Sequence, residues 1–247
     1  MRLIGCTDTG CVRSENQDNY RAGTLTDGSS WGLVCDGMGG ANGGRMASSL
    51  ACDVLEDWMM AWTPAFEGGP RGFIMNGLDK ANEAVYKRSA AEMRYRGMGT
   101  TAVLTLILGD TAHIAHVGDS RLYQFRAGRL SQITRDHSYV QELVNKGAIT
   151  QEEARTHPRK NVITRALGVE KTVEPDYTCV QMQQGDILLL CSDGLTNAVS
   201  EGRIADMLTK LPFFEAPQAL VDIANACGGP DNITVLLAAP EREEHNG

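Results

Sequence analysis

The chain has 247 residues with 42% hydrophobic and 22% charged side chains, a balance that supports one large buried core and excludes intrinsic disorder. Its net charge of -8, with no Lys/Arg cluster on which a phosphate backbone could lie, excludes a nucleic-acid-wrapping surface. Neither the opening MRLIGCTDTGCVR nor any later stretch has an apolar run of signal-peptide or membrane-span length, so the expectation is a cytoplasmic protein without a membrane partner.

Residues 2 to 8 and 31 to 35 read as strands, and the polar stretch between them, with its Asp27-Gly28 turn, predicts a hairpin. Met46, Leu50, Val54, Leu55, Trp58 and Met59 recur at three and four, which predicts an amphipathic helix over 43 to 62, stopped by Thr63-Pro64. After a Gly/Pro-rich link from Glu67 to Gly72, a second helical pattern runs through Phe73, Ile74, Leu78, Ala81, Val85 and Tyr86 toward Met93. From Gly99 the runs TTAVLTLILGD, TAHIAHVGD, SRLYQFRAG and GRLSQIT predict an antiparallel meander. Residues 138 to 170 interrupt it with a polar, helix-prone insertion too long for a hairpin loop. Strands at 176 to 182 and 186 to 191, helices near 201 to 210 and 216 to 227, and a last strand ITVLLAA follow. Two antiparallel sheets covered by helix pairs are the expected outcome. Seven cysteines make no C-x-x-C pair, which predicts neither a disulfide framework nor a zinc site; most are expected to be buried as small hydrophobes.

Four aspartates sit where apolar, strand-like runs end in glycine or a tight turn: Asp36 in WGLVCDGMGG, Asp119 in AHVGDSR, Asp193 in DILLLCSDGL and Asp231 in GGPDNITVLL. One Asp-Gly alone is usually only a turn. Four behind strands can converge on one cleft, and carboxylate and carbonyl oxygens are the ligands that magnesium and manganese prefer.

These motifs occur in a fixed order with others: Arg13-x-x-Asn16-Gln17-Asp18, Asp36-Gly37-Met38-Gly39-Gly40, Met98-Gly99-Thr100-Thr101, Val117-Gly118-Asp119-Ser120-Arg121, Asp136-His137-Ser138, Ser192-Asp193-Gly194 and Asp231-Asn232-Ile233-Thr234. The ordered set, over residues 5 to about 238, resembles bacterial metal-dependent Ser/Thr protein phosphatases of the PPM type, the type 2C-like family. The resemblance implies an α+β fold, a four-layer α-β-β-α sandwich whose two central antiparallel sheets are flanked by helix pairs. It implies one domain over 1 to 240, with the insertion as a flap and a polar tail over 241 to 247. It also implies hydrolysis of phosphoserine and phosphothreonine in proteins by a metal-activated water, opposing a bacterial Ser/Thr kinase.

By the same resemblance two Mn2+ or Mg2+ ions form the core, with Asp36 bridging them, Asp193 and Asp231 on one and the Gly37 carbonyl on the other. Asp18 would hold waters on the metals, and Asp119 with Asp193 would form a third, weaker site. Arg13 would grip the phosphate, since a guanidinium fork pairs with phosphoryl oxygens. The chain departs from the family in three places. Gln17 stands where eukaryotic relatives often have a glutamate, and Met38 and Ala41 occupy positions where many relatives carry a histidine proposed as proton donor, so no general acid is assigned. His113 and His116 are expected as packed strand residues, His137 as structural, His157 as a loop residue of the insertion and His245 in the tail. A monomer is expected. The alternative is a catalytically weak binding or sensor module on the same fold, against which the retention of Asp36, Asp193 and Asp231 together argues.

Overall fold

A computed structural model describes residues 1 to 241, apart from the side chains of Ala41 and Asn42; the tail from residue 242 onward, with His245, lies outside the described residues. In chain order the elements are β1 (Arg2–Asp8), β2 (Asp18–Thr24), β3 (Ser30–Met38), α1 (Gly40–Met60), α2 (Gly69–Ala91), β4 (Gly99–Thr100), β5 (Ala102–Leu108), β6 (Thr111–Val117), β7 (Arg121–Arg126) and β8 (Arg129–Gln132). The insertion carries α3 (Tyr139–Asn145) and α4 (Gln151–Thr156), and the chain ends through β9 (Asp176–Gln181), β10 (Ile187–Cys191), α5 (Asp193–Ala198), α6 (Glu201–Lys210), α7 (Ala216–Ala226) and β11 (Ile233–Ala239).

One sheet runs β1-β11-β10-β7-β8 and the other β2-β3-β5-β6-β9, with β4 beside β3; all pairings are antiparallel. The period of two decides what each strand residue packs against. Leu236 and Ala238 of β11 meet Val34, Val103 and Ile114 between the sheets, whereas Val235 and Leu237 pack under α5, α6 and α7. On the opposite sheet Trp31, Leu33 and Cys35 lie under Ala51, Leu55 and Met59 of α1 and Ile74 and Leu78 of α2. Strands buried on both faces read as continuous apolar runs, and each fully buried Leu, Val or Ile side chain contributes about 1.5–3 kcal/mol. The expected α-β-β-α layering is therefore present.

The details differ in four places. The Asp27-Gly28 turn joins β2 to β3, not β1 to β3, and β1 pairs with β11 in the other sheet. β2 (DNYRAGT) has no apolar run to announce it. The meander is split: β5 and β6 belong to one sheet, β7 and β8 to the other, and Gly118 at φ +102 carries the chain across. α2 begins inside the Gly/Pro link with Pro70 in its first turn, where a missing N–H costs nothing. Only Cys35, Cys52 and Cys191 are buried, while Cys11, Cys179 and Cys227 are exposed, because these three stand in loops, at a helix end and on the edge strand β9.

No described helix is long and apolar enough to cross a membrane. The insertion is fastened at its base, where Tyr139 N–H donates to Val162 O (2.8 Å) and Thr164 N–H to His137 O (2.8 Å). Inside it, Thr150 and Glu153 form a reciprocal capping box at the start of α4.

Candidate metal centre and active site

The site begins with strand register. Asp18 of β2 stands directly opposite Asp36 of β3, and opposed residues of an antiparallel pair share a face, so two carboxylates are forced together. Asp36 is held through its backbone: its N–H donates to Thr101 Oγ1 (2.9 Å), and its carbonyl accepts from Thr100 Oγ1 (2.9 Å) and Thr101 N–H (2.8 Å). At Gly37 a Cβ would lie 2.1 Å from the Gly44 carbonyl oxygen, so only glycine lets β3 and α1 approach this closely.

Asp18 straddles both sheets. Its Oδ2 accepts from Ser192 Oγ (2.7 Å), at the end of β10, and from Thr234 Oγ1 (2.8 Å) of β11. Its Oδ1 is buried and has no hydrogen-bond partner among the described residues. Asp193 opens α5, and Asn197, one turn on, donates to its Oδ2 (2.9 Å). Asp231 accepts from Asn232 N–H at Oδ1 (2.9 Å) and from the Arg13 guanidinium at Oδ2 (2.8 Å).

The Asn232 side chain also accepts from Gln17 N–H (2.9 Å) and donates to the carbonyls of Thr9 (2.8 Å) and Glu15 (3.0 Å). Asn232 thereby fixes the segment that carries Arg13. Gln17 extends its amide to the Gly40 carbonyl (3.2 Å), holding the start of α1.

Arg13, Asp36, Gly37, Asp119, Asp193 and Asp231 line one cleft of about 500 Å³, and Asn161 and Ile163 of the insertion join its wall. Asp18 lies buried beneath it. Burial first, and then repulsion from Asp18 and Asp193, pushes Asp36 well above the usual carboxylate range. Asp119 is pushed up in the same way by burial and by Asp193 and Asp136. Burial, with Asp231 and Asp18 adding, raises Asp193 to about 7, and burial, with Asp231 adding, raises Asp18 to about 6. Arg121, in a bidentate pair with Asp136 (2.7 and 2.9 Å), offsets only part of the rise at Asp119 and Asp193. Crowded oxygens that resist ionisation, with a buried Oδ1 lacking a donor, fit a hard divalent cation.

A second group of possible ligands, His116, His137 and Asp176, has its donor atoms within 4.8 Å of one another. Hydrogen bonding accounts for it without a metal. His137 Nδ1 accepts from Gly118 N–H (3.2 Å), so its proton sits on Nε2, which faces Asp176 Oδ2 at 3.4 Å. His116 Nε2 donates to Arg135 O (2.7 Å), and Arg165 pairs with Asp176 (3.0 Å). The group braces the insertion against β6 and β9. His113 bonds the Tyr177 hydroxyl (2.7 Å), and His157 stays in the insertion beside Tyr139.

The sequence profile of the protein phosphatase 2C family matches residues 12 to 237. The chain belongs to that family. It is an enzyme of the serine/threonine phosphatase class. Serine/threonine phosphatase stp of Listeria welshimeri is 41% identical to it over 233 residues, covering 94% of this chain and 92% of the relative. Protein phosphatase PhpP of Streptococcus pneumoniae is 38% identical over 248 residues, 99% of each chain. Among solved structures, Stp1 from Staphylococcus aureus superposes with a TM-score of 0.92 at 36% identity, covering 97% of this chain and 95% of that one. The catalytic domain of PstP in complex with two manganese ions superposes with a TM-score of 0.84 at 35% identity, covering 96% of each.

Within this phosphatase the fold brings every expected site residue to one place. The supports are what sequence reasoning missed. Ser192 and Thr234 bond Asp18, Asn197 bonds Asp193, Thr101 bonds Asp36, and Asn161 reaches the cleft from the insertion. Ser192, Thr234 and Thr101 stand inside the recognised motifs, so their positions were signalled although their partners were not. Asn197 and Asn161 carry no such signal.

Proposed function

We propose that this phosphatase hydrolyses phosphoserine and phosphothreonine in proteins with two divalent cations, manganese or magnesium, held by Asp36, Gly37, Asp193 and Asp231. The observation that carries this reading is the convergence of buried, ionisation-resistant carboxylates over the unpartnered Asp18 Oδ1. When bound, the ions supply a nucleophile from water at neutral pH and compensate charge on the phosphoryl oxygens. Asp18 orients water at the floor of the site, anchored by Ser192 and Thr234. Arg13 leaves Asp231 for the substrate phosphate, which its planar fork can grip in a bidentate manner. Asp119, beside Asp193 on the insertion side of the cleft, forms with it a weaker third cation site.

Among the described residues lining the cleft there is no histidine, so the proton for the leaving alkoxide comes from water or from a group brought by substrate and insertion. The physiological setting is a cytoplasmic monomer, one catalytic domain over 1 to 240, that opposes a Ser/Thr kinase. Hydrolysis of p-nitrophenyl phosphate with added manganese tests the assignment. Activity in the wild type, its loss in Asp193→Ala, and impaired turnover with the two core ions retained in Asp119→Ala are expected. A folded wild type without metal-dependent activity would support the binding-module alternative instead.

A further inference from the structure

A second groove, of about 480 Å³, adjoins the catalytic cleft and shares Met38 and Ile163 with it. Its far wall is the outgoing arm of the insertion, where Val169 stands 50% exposed and Val173 packs partly on the core. Glu170 and Glu174 line the same groove, and neither carboxylate has an ion-pair partner among the described residues. The one basic residue there, Arg165, is matched by Asp176 at 3.0 Å and by the Glu174 carbonyl at 3.1 Å. The groove thus combines the apolar side chains of Met38, Ile163, Val169 and Val173 with two carboxylates free of ion pairs among the described residues.

The arm is built rather than loosely draped. Asn82 of α2 is 2% exposed; it donates to the carbonyls of Glu170 (3.2 Å) and Lys171 (3.1 Å) and accepts from Gly168 N–H (2.8 Å). Leu167 exchanges two backbone hydrogen bonds with Thr100 (2.8 and 3.0 Å), whose hydroxyl donates to the Asp36 carbonyl. The groove wall and the carboxylate of the cleft are therefore held by one continuous bonded unit. A side chain anchored in a pre-ordered wall binds its partner without first losing loop entropy.

A protein substrate cannot present its phosphate without laying the neighbouring residues along the mouth of the cleft. Extended chain advances about 3.3 Å per residue, so a groove that shares walls with the cleft meets the residues next to the phosphorylated one. We infer that this groove receives the substrate segment flanking the phosphoresidue and selects for apolar and basic side chains in it. The inference rests on the phosphatase reading above. It assigns Val169, Glu170 and Glu174 to substrate choice, outside the chemistry of the metal centre.

The test compares kcat/KM of the manganese-loaded protein on two phosphothreonine peptides of equal length, one flanked by Leu and Lys and one by Asp and Gly. p-Nitrophenyl phosphate, too small to reach the groove, controls for folding and for the metal centre. Two carboxylates and one apolar contact support a preference of about tenfold for the Leu/Lys peptide in the wild type. The double change Glu170→Lys with Glu174→Lys should abolish or invert that preference, and Val169→Asp should weaken it through the apolar contact. Equal use of the two peptides by a wild type active on p-nitrophenyl phosphate overturns the groove assignment alone. A preference untouched by charge reversal also overturns it. A wild type inactive on all three substrates overturns the phosphatase reading and the groove with it.

Discussion

Asp18→Asn should make the metal-free protein more stable while weakening its response to metal. Asp18 is 7% exposed, and burial raises its carboxyl from the ordinary 3.8 to about 6. A group whose folded value lies above its unfolded value contributes stability that is lost as the pH rises through the folded value. For Asp18 that window runs from about 4 to above 6. At pH 8 the ionised form therefore costs about 3 kcal/mol relative to the unfolded chain. This is a ceiling for the gain, because Asp36 and Asp193 are themselves raised and can hold protons that relieve part of the same repulsion in the wild type.

Asparagine has the same shape. Its oxygen can accept from Ser192 and Thr234 as Oδ2 does, and its amide takes the place of the unpartnered Oδ1. Thermal unfolding of wild type and variant, at pH 5 and pH 8, with chelator and with manganese, reads the effect. Expected are a higher Tm for the variant in chelator at pH 8, a smaller difference at pH 5, and a smaller stabilisation by manganese than in the wild type. A variant less stable than wild type in chelator at pH 8 would refute the account of a carboxylate kept charged for the metal at the expense of stability.

Arg13→Ala should raise KM for phosphoester substrates about tenfold or more, the worth of a charge-assisted hydrogen-bonded pair, with a smaller change in kcat; steady-state kinetics at saturating manganese separate the two. Asn82→Ala should cost about 2 kcal/mol in urea unfolding at unchanged m-value, since the buried Gly168 N–H loses its acceptor. The same variant should reduce activity on phosphopeptides more than on p-nitrophenyl phosphate, and equal losses would separate Asn82 from the groove.

Much of the site was legible in the linear chain. Asp36 lies near the end of β3, Asp193 follows β10 and Asp231 precedes β11, and such buried strands announce themselves as apolar runs closed by Gly or a turn. β2 was not legible, because DNYRAGT lacks such a run and its Tyr20 and Ala22 are only partly buried. With β2 unseen, the pairing of Asp18 with Asp36 had no basis in periodicity, and Asp18 entered the site only through family resemblance. The two halves of the meander were equally visible, yet Gly118 sends β7 to pair with β10 rather than β6. A continuous apolar run records that both faces are buried, and not which strand lies beside it.

The sequence by itself determined the composition of the centre: four carboxylates at strand ends, an arginine in the opening motif, and no histidine at Met38 or Ala41. Tertiary structure decided how those groups are charged and held. Asp18 reaches Ser192 across 174 residues and Thr234 across 216, Asn232 holds the segment bearing Arg13, and Arg13 rests on Asp231. The groove at Met38 is held by Asn82, which bonds the insertion to α2 from 86 residues away, and by the Leu167–Thr100 backbone pair. Local chemistry is written in neighbouring residues, whereas burial, mutual repulsion and the shape of a cleft are properties of surfaces that meet only after the chain has closed on itself.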